Sequence, residues 1–385
     1  MTPTPSARSD VAPFLAMDVL AKAAAAERAG RSIAHLEVGQ PAEPLPAKAR
    51  EAVEAALRSA EPLGYTEALG LRPLRERIAR MYEEIHGLAV SAERIVVTTG
   101  SSAGFHLTFS CLFGQGERVA LADPGYPSYR NILRSLDVTP VRIEGWLADG
   151  YQPTVADLAA AREDGPLAGL LVASPANPTG TMLSPERLRA LVEDCAAAGT
   201  ALVSDEIYDR LWYDERPLSA LALTDDAVVI NSFSKFHGLT GWRVGWMVVP
   251  EALSRRVERL AQNAFICAPH VAQVTALAAM DCEDVLAARV EGYRRNRALL
   301  IDALPPLGFR DFAPADGAFY LYADVSALTG DSMAFAQRML DEAGVAAVPG
   351  LDFDPVRGGS TMRFSFAGSY TTMEMAAERL TRWLG

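Results

Sequence analysis

The alternation of short apolar runs with amphipathic stretches, between about residues 94 and 250, constrains the fold of this chain most strongly. Most of the runs are nearly continuous in Val, Leu, Ile and Ala, which is typical of strands covered on both faces. The runs span residues 94–99, 118–122, 169–174, 201–204, 227–231 and 244–249. The stretches between them have helical patterns. Strand–helix–strand alternation of this kind predicts a mostly parallel α/β sheet.

The helix predicted at residues 184–198 shows how these boundaries are set. Ser184 supplies an N-cap, Pro185 suits the first turn, and Gly199 provides a C-terminal stop. Beyond residue 280 the pattern changes to a long charged helix at 283–303, strands at 318–325 and 361–366, and helices at 333–343 and 372–384. With 385 residues the chain is long enough for two domains, and we interpret this part as a smaller α+β domain.

Composition excludes several classes of function. The net charge of -12 would repel a phosphate backbone, so no nucleic acid partner is expected. No stretch approaches the roughly 20 apolar residues of a membrane helix, and the first ten residues lack the apolar core of a signal peptide. Four widely separated cysteines favour free thiols in the cytoplasm. The five histidines show no ligand spacing, so no metal site is expected.

Polar residues follow the apolar runs directly. Asn177 comes after one run, Asp205 ends the next, and Ser232 and Lys235 follow another. The segment Gly100-Ser-Ser-Ala-Gly104 follows the first. Because the carboxyl ends of parallel strands share one edge, where open α/β sheets bind ligands, we expect these residues to meet in one crevice.

The chemistry of this crevice predicts a site for pyridoxal phosphate. Backbone amides at the start of a helix favour an anion, and a hydroxyl and a guanidinium would complete a phosphate cup. The residues of this cup are Ser101, Ser102, Ala103, Ser232 and Arg243. Asp205 would pair with a protonated ring nitrogen, Tyr126 would offer a stacking face, and Lys235 would supply an amine for the aldehyde.

Several motifs resemble, in order and spacing, the class I/II aminotransferases of fold type I. These motifs are Asn177-Pro-Thr-Gly180, Asp205-Glu-Ile-Tyr208, Ser232-Phe-Ser-Lys235, Gly241-Trp-Arg-Val-Gly245, Gly64-Tyr-Thr-Glu-Ala-Leu-Gly70 and Met362-Arg-Phe364. The resemblance spans about residues 35 to 380. It implies a mostly parallel seven-stranded sheet sandwiched by helices, with a smaller α+β domain. The expected division is an arm at 1–40 that packs with the small domain, a large cofactor-binding domain at 41–280 and a small domain at 281–385.

The resemblance also implies roles for individual residues. Lys235 would form an aldimine with the cofactor and then carry the proton, and Asp205 would hold the ring nitrogen protonated. Asn177 and Tyr208 would bond the ring's phenolic oxygen. Tyr65 would reach the phosphate of the neighbouring subunit's cofactor, so a homodimer is implied. The substrate-binding residues would be Gly39, Asn177 and Arg363, with the arginine clamping the carboxylate.

Two other enzymes fit part of the pattern. A carbon–sulfur lyase would share the cofactor site. A serine hydrolase would use Ser102 of Gly100-Ser-Ser-Ala-Gly104 as its nucleophile, with Asp205 and either His237 or His270 in the chain order of a triad. That reading gives no role to Lys235, so transamination is the preferred prediction.

The amino donor is expected to be a neutral or aromatic L-α-amino acid, with 2-oxoglutarate or pyruvate as the acceptor. Ser101, Ser102 and Ala103 stand where some relatives of the family have a lysine for a second carboxylate. We find no second arginine for that role, which argues against aspartate. Residues suggested for contact with the substrate side chain are Phe14, Gln40, Phe265 and Phe353.

Overall fold

The computed structural model of the protein describes residues 3–385. The α-helices of this range are α1 (Leu15–Arg28), α2 (Ala47–Arg58), α3 (Arg72–His86), α4 (Ser101–Leu112), α5 (Pro127–Ser135), α6 (Val155–Arg162), α7 (Pro185–Ala198), α8 (Glu251–Ala264), α9 (His270–Ala279), α10 (Glu283–Ala303), α11 (Ser332–Arg338) and α12 (Tyr370–Leu384). The strands are β1 (Ala34–His35), β2 (Ile95–Thr98), β3 (Arg118–Asp123), β4 (Thr139–Glu144), β5 (Gly169–Ala173), β6 (Ala201–Asp205), β7 (Val228–Ser232), β8 (Gly245–Val248), β9 (Tyr320–Asp324), β10 (Val345–Ala346), β11 (Val348–Pro349) and β12 (Thr361–Ser365).

The central sheet has seven strands in the order β2-β8-β7-β6-β5-β3-β4. Only β8 runs antiparallel to its neighbours, so β2 has the same direction as the other five strands. The carboxyl ends of these six strands therefore lie at one edge. The predicted fold class is confirmed, and so are the six predicted apolar runs.

The strand β4 is the one that the sequence pattern misses. It lies at the edge of the sheet, most of its residues are partly or fully exposed, and it contains Pro140 and Arg142. An edge strand with one partner tolerates proline and polar side chains, so its sequence lacks the apolar continuity of the buried strands.

Side chains of the inner strands alternate between two apolar clusters. Leu170 and Val172 of β5 pack into one cluster with α3 and α7, whereas Leu171 packs into another with α4 and α8. Val229 and Ile230 of β7 divide in the same way. Helices thus cover both faces of the sheet, which explains the uninterrupted apolar runs.

The predicted helix boundaries at 184–198 are confirmed by α7. The Ser184 hydroxyl accepts a hydrogen bond from the backbone N–H of Arg187 at 3.2 Å, and Gly199 ends the helix with a φ of 66°. The long helix predicted at 283–303 is α10.

The C-terminal region holds a three-stranded antiparallel sheet in the order β11-β12-β9. Its apolar cluster includes Tyr208, Leu211 and Phe236, which follow strands of the central sheet. Apolar packing therefore continues from the central sheet into the C-terminal region, on both sides of the boundary predicted at residue 281. The predicted domain boundaries stay a prediction. No helix within residues 3–385 is long and apolar enough to cross a membrane.

The N-terminal arm is attached to this C-terminal region. β1 pairs in parallel with β10, and Ala23 of α1 packs against Leu340 and Ala346. The first turn of α1 has no cap from its own N-cap residue, Phe14. Asp352 supplies the cap instead, because its carboxylate accepts from the backbone N–H groups of Leu15 at 2.9 Å and Ala16 at 3.1 Å. A buried side chain distant in sequence thus holds the start of α1.

We expect Asp352→Ala to loosen α1 by about 1 kcal/mol, the usual effect of a lost helix cap. Amide hydrogen exchange in α1 should become about fivefold faster. Asp331→Ala is the matched control, since Asp331 caps α11 by accepting from the Ala334 N–H at 3.0 Å. That change should accelerate exchange in α11 alone. Exchange in α1 at the wild-type rate in Asp352→Ala would contradict this role.

Candidate active site

A cavity of about 190 Å³ opens at the carboxyl edge of the central sheet. It brings together most of the residues predicted for the site. Those that line it are Gly39, Ser101, Ser102, Tyr126, Asn177, Asp205, Tyr208, Lys235, Arg243 and Arg363. The shared strand direction brings together the residues that follow β2, β3, β5, β6 and β7, whereas Gly39 and Arg363 reach the cavity from the N-terminal arm and from β12.

Three of the predicted cofactor residues do not line the cavity. Ala103 lies in the first turn of α4, behind the two serines. The Ser232 hydroxyl bonds the hydroxyl of Ser234 at 2.9 Å, and Ser234 is the residue that faces the cavity. Tyr65 is 82% exposed on the surface of the chain.

Of the four residues suggested for contact with the substrate side chain, one lines the cavity and three do not. Phe14 lines the cavity, and its ring meets that of Tyr126 edge-on at 5.6 Å. Phe353 lies behind the cavity against the guanidinium of Arg363. Gln40 is exposed, and Phe265 belongs to the apolar cluster beneath α4 and α8, so neither lines the cavity.

Lys235 lies in the loop that leaves β7. Its Nζ donates a hydrogen bond to the carbonyl oxygen of Gly39 at 2.8 Å. Desolvation, with smaller contributions from the nearby charges of Arg363 and Arg243, lowers the pKa of Lys235 from 10.5 to about 8. An amine with this pKa is partly unprotonated near neutral pH and can act as a nucleophile or accept a proton.

Asp205 ends β6 and is buried. Its Oδ1 accepts from the backbone N–H of Ile207 at 3.0 Å, and its Oδ2 accepts from the hydroxyl of Tyr129. Burial raises the pKa of Asp205 to about 6, although both hydrogen bonds and Lys235 act in the opposite direction. A cationic ligand group beside Asp205 would stabilise its ionised form.

The start of α4 and Arg243 form an anion-binding surface. Gly100 precedes the helix with a φ of 78°, and a Cβ there would lie 2.2 Å from Nη2 of Arg243. At Gly245 a Cβ would lie 3.0 Å from the backbone nitrogen of Ser101. The positive φ favours glycine at position 100, whereas close approach of backbone atoms requires it at position 245. The free N–H groups of α4 and the guanidinium together suit a phosphate group.

Arg363 projects from β12 and is 2% exposed. One amino group donates to Oδ1 of Asn177 at 2.9 Å, the other donates to the carbonyl oxygen of Glu37, and Nε has no partner. The guanidinium lies between the rings of Tyr320 and Phe353, at 4.4 Å and 4.8 Å from their centroids. Such a group is suited to a carboxylate.

The cavity holds more positive than negative charge. The hydrogen bonds of Lys235, Arg243 and Arg363 go to backbone or amide oxygens, which carry no net charge. Arg363 is buried and Lys235 is partly buried, whereas Arg243 is exposed in the single chain. Because buried cations without anionic partners are costly and Arg243 has no anionic partner either, the cavity favours a ligand with two anionic groups.

The two acids that line the cavity do not remove this excess. Asp205 is the acid that faces Lys235. Glu37 is buried, and its Oε1 is paired with Nδ1 of His35 at 2.7 Å. Hydrogen bonding to Glu37 raises the pKa of His35 to about 9, so this histidine is charged near neutral pH and compensates Glu37.

The serine hydrolase reading fails in the structure. Ser102 and Asp205 both line the cavity, but no histidine within residues 3–385 does so. His237 is packed between Phe233 and Phe236, and burial lowers its pKa to about 3. His270 bonds the carbonyl oxygen of Gly64 at 3.0 Å. Without a base at the serine, the triad is not assembled.

Tyr129, Ser234, Tyr320 and Glu37 line the cavity but were not predicted from the sequence. For two of these residues the sequence contains a feature from which a place in the site could have been predicted. Tyr129 lies in the first turn of α5, for which Tyr126 is the N-cap residue, and Ser234 belongs to the lysine motif itself. Tyr320 and Glu37 reach the cavity through packing of distant segments, which no local pattern reveals.

Comparisons with known proteins agree with this geometry. The sequence model of the family described as aminotransferase class I and II matches residues 31–380. The valine–pyruvate aminotransferase of Mycobacterium tuberculosis is 45% identical, over 100% of this chain and 99% of that relative. A crystal structure of an aminotransferase from the same organism has a TM-score of 0.96 at 44% identity, covering 100% of this chain and 99% of the other. Aspartate aminotransferase from Thermus thermophilus with maleate has a TM-score of 0.92 at 30% identity, covering 99% and 100%.

The lowered pKa of Lys235 predicts unusual amine reactivity in the cofactor-free protein. The chain has three lysines, and Lys22 and Lys48 are exposed references within the same molecule. Because its folded pKa is lowered, Lys235 becomes unprotonated as the pH rises through about 8. Competitive acetylation across a pH series, read by mass spectrometry, should give Lys235 a lower midpoint than both references. A midpoint equal to theirs would contradict the desolvated site.

Proposed function

The chain belongs to the class I and II aminotransferase family, and from this premise we propose that it transfers the amino group of a neutral aliphatic L-amino acid to pyruvate. It is a pyridoxal-phosphate-dependent aminotransferase, and its reaction moves an amino group from an L-α-amino acid to a 2-oxo acid. The proposed donor rests on one observation. Once Lys235 and Arg243 are assigned to the cofactor, Arg363 is the single cation of the cavity that is left to bind a substrate.

The residues present fit pyridoxal phosphate. The start of α4 and Arg243 suit its phosphate, and Asp205 suits its ring nitrogen. In this assignment Tyr126 stacks on the ring, while Asn177 and Tyr208 bond its phenolic oxygen. Ser101 and Ser102 would complete the phosphate site, whereas Ala103 and Ser232 lie behind the residues that line the cavity. When bound, the cofactor supplies an electron sink for the bond broken at the substrate α-carbon.

Lys235 acts in two ways in this proposal. Its amine would be the covalent anchor of the cofactor, and its Nζ would accept and return the proton that leaves the substrate α-carbon. The pKa of about 8 suits both tasks, since a base is most effective when its pKa lies near the working pH. The carbonyl oxygen of Gly39, 2.8 Å from Nζ, holds the amine at the substrate side of the cavity.

Arg363 binds the substrate carboxylate in this proposal. Its partners Asn177 and the Glu37 carbonyl, together with the two flanking rings, fix the guanidinium before a substrate arrives. Fixed geometry reduces the entropy lost on binding and orients the α-carbon toward Lys235.

The side-chain end of the cavity is apolar. Phe14, Ala16 and Met17 of the α1 region form one wall with Ile207. Lys235 and Arg243 serve the cofactor and Arg363 serves the α-carboxylate, so a second substrate carboxylate has no partner cation in the cavity of one chain. An unpaired carboxylate there would be strongly disfavoured, which argues against aspartate. The relative named for valine and pyruvate supports the aliphatic choice.

The donor is tested by adding single amino acids to the cofactor-loaded enzyme and following the visible absorption of the bound cofactor. Valine and other neutral aliphatic amino acids should bleach the band at least about tenfold faster than aspartate at equal concentration, because they leave no buried charge unpaired. Pyruvate should then restore the band.

The outcomes of this test separate the alternatives. Fastest bleaching by aspartate would contradict the proposed donor. Release of ammonia without an added 2-oxo acid would instead identify a carbon–sulfur lyase. Lys235→Ala is the control for the site, and it should fold but fail to complete a cycle.

We further propose a homodimer in which Tyr65 serves the partner's site. Tyr65 is 82% exposed although it is aromatic, and it follows Gly64, whose carbonyl is fixed by His270. Ile266 in a neighbouring loop is also exposed, at 48%. Exposed apolar side chains on ordered loops are typical of contact surfaces. The cytoplasm is the proposed location, because the four cysteines are free.

Tyr65→Phe tests the shared site. Loss of a hydrogen bond to a phosphate should raise the dissociation constant of the cofactor about tenfold. Tyr370→Phe changes another exposed tyrosine and should leave that constant unchanged. Light scattering should report a dimer in all three proteins. A monomer would contradict the homodimer, and an unchanged constant in a dimeric Tyr65→Phe would contradict the role of Tyr65.

A further inference from the structure

Tyr320 lies where the groups assigned to the cofactor meet those assigned to the substrate. It belongs to β9 of the C-terminal sheet and is 1% exposed. Its hydroxyl is 2.8 Å from the hydroxyl of Tyr208, and its ring lies under the guanidinium of Arg363. It also determines the residue at position 39, since a Cβ on Gly39 would lie 1.7 Å from the Tyr320 hydroxyl oxygen. One side chain thus contacts three parts of the proposed site.

The hydrogen bond between the hydroxyls of Tyr208 and Tyr320 has a defined donor if Tyr208 itself donates to the cofactor. A phenol has one proton to donate. If Tyr208 donates its proton to the phenolic oxygen of the cofactor, then the bond between the two tyrosines requires Tyr320 to donate to Tyr208. Burial raises the pKa of both phenols, so both protons are retained throughout the working pH range. A chain of aligned hydrogen bonds polarises each member and strengthens the last donor.

The ring contact concerns Arg363. The centroid of the Tyr320 ring lies 4.4 Å from Cζ of Arg363, within the range of a cation–π interaction, and Phe353 lies on the other side at 4.8 Å. Two rings therefore restrict the plane of the guanidinium. Its Nε is buried and has no hydrogen-bond partner within residues 3–385, so the guanidinium keeps one unused donor.

We propose that Tyr320 is a positioning residue for the aminotransferase reaction, polarising Tyr208 through its hydroxyl and holding the plane of Arg363 through its ring. The inference rests on the proposed roles of Tyr208 and Arg363. It assigns the two parts of the side chain to different steps, one at the cofactor and one at the substrate carboxylate. Substitutions that remove the hydroxyl alone and the ring as well should therefore have separable effects.

The hydroxyl is tested with Tyr320→Phe in the cofactor-loaded enzyme, by titrating the visible absorption of the bound cofactor with pH. A donor to the phenolic oxygen stabilises its negative charge and lowers the pKa at which the absorption changes. Weakening that donor should raise the midpoint by about a few tenths of a pH unit, a fraction of the roughly half to one unit expected for loss of a whole neutral hydrogen bond. Tyr322→Phe is the matched control, because this buried tyrosine of the same strand bonds Thr361 at 2.7 Å and should leave the midpoint unchanged.

The variant Tyr208→Phe distinguishes failure of the proposed role of Tyr320 from failure of the assignment of Tyr208 to the cofactor. A raised midpoint in Tyr208→Phe with a wild-type midpoint in Tyr320→Phe would overturn the role of the Tyr320 hydroxyl. No change in Tyr208→Phe would instead overturn the assignment of Tyr208 to the cofactor.

The ring is tested by binding of 2-methylalanine, an amino acid without an α-hydrogen, followed by the same absorption. Tyr320→Phe keeps an aromatic face and should bind it within about twofold of wild type, whereas Tyr320→Leu should bind about fivefold more weakly. Equal affinity in all three proteins would overturn the stacking role. The Phe variant retains almost all of the buried volume, so the hydroxyl test stands even if the Leu variant does not fold.

Discussion

An excess of positive over negative charge in the cavity is the constraint on which the active site depends. Lys235, Arg243 and Arg363 share one cavity, and the fold meets their hydrogen-bonding needs with oxygens that carry no net charge. Neutral acceptors satisfy the donors but leave the charges uncompensated. The cavity is therefore complete only with anionic ligands, and a phosphate and a substrate carboxylate supply them. Ligands bound in this way also stabilise the folded chain by mass action.

The site is built from two sheets rather than one. Lys235 and Asp205 come from the central parallel sheet, whereas Arg363 and Tyr320 come from the antiparallel C-terminal sheet. Asn177 joins the two, since its side chain follows β5 and accepts a hydrogen bond from Arg363. In the proposed assignment the cofactor is held by one sheet and the substrate carboxylate by the other. Their relative position sets the distance between the α-carbon and the lysine.

Much of this arrangement was predictable because local chemistry determines it. The apolar runs identify the buried strands, and residues at their carboxyl ends share an edge whatever the details of packing. Residues that act through tertiary contacts gave no such signal. Tyr320 lies in a strand pattern that only shows it to be buried, and β4 lacks apolar continuity because it is an edge strand. Tyr65 was predicted only through the family resemblance, and its proposed role depends on contact between chains, since it lies exposed in a single chain.

The attachment of α1 has a consequence for how enzymes of this design diverge. Phe14, Ala16 and Met17 form a wall of the cavity, yet the helix that carries them is held by one carboxylate cap, a two-residue strand and a small apolar cluster. None of these attachments involves the lysine, the aspartate or the phosphate site. Mutations that accumulate in the first thirty residues can therefore reshape substrate range while the reaction chemistry is conserved. The selectivity of such an enzyme can evolve as a separate, exchangeable segment of the chain.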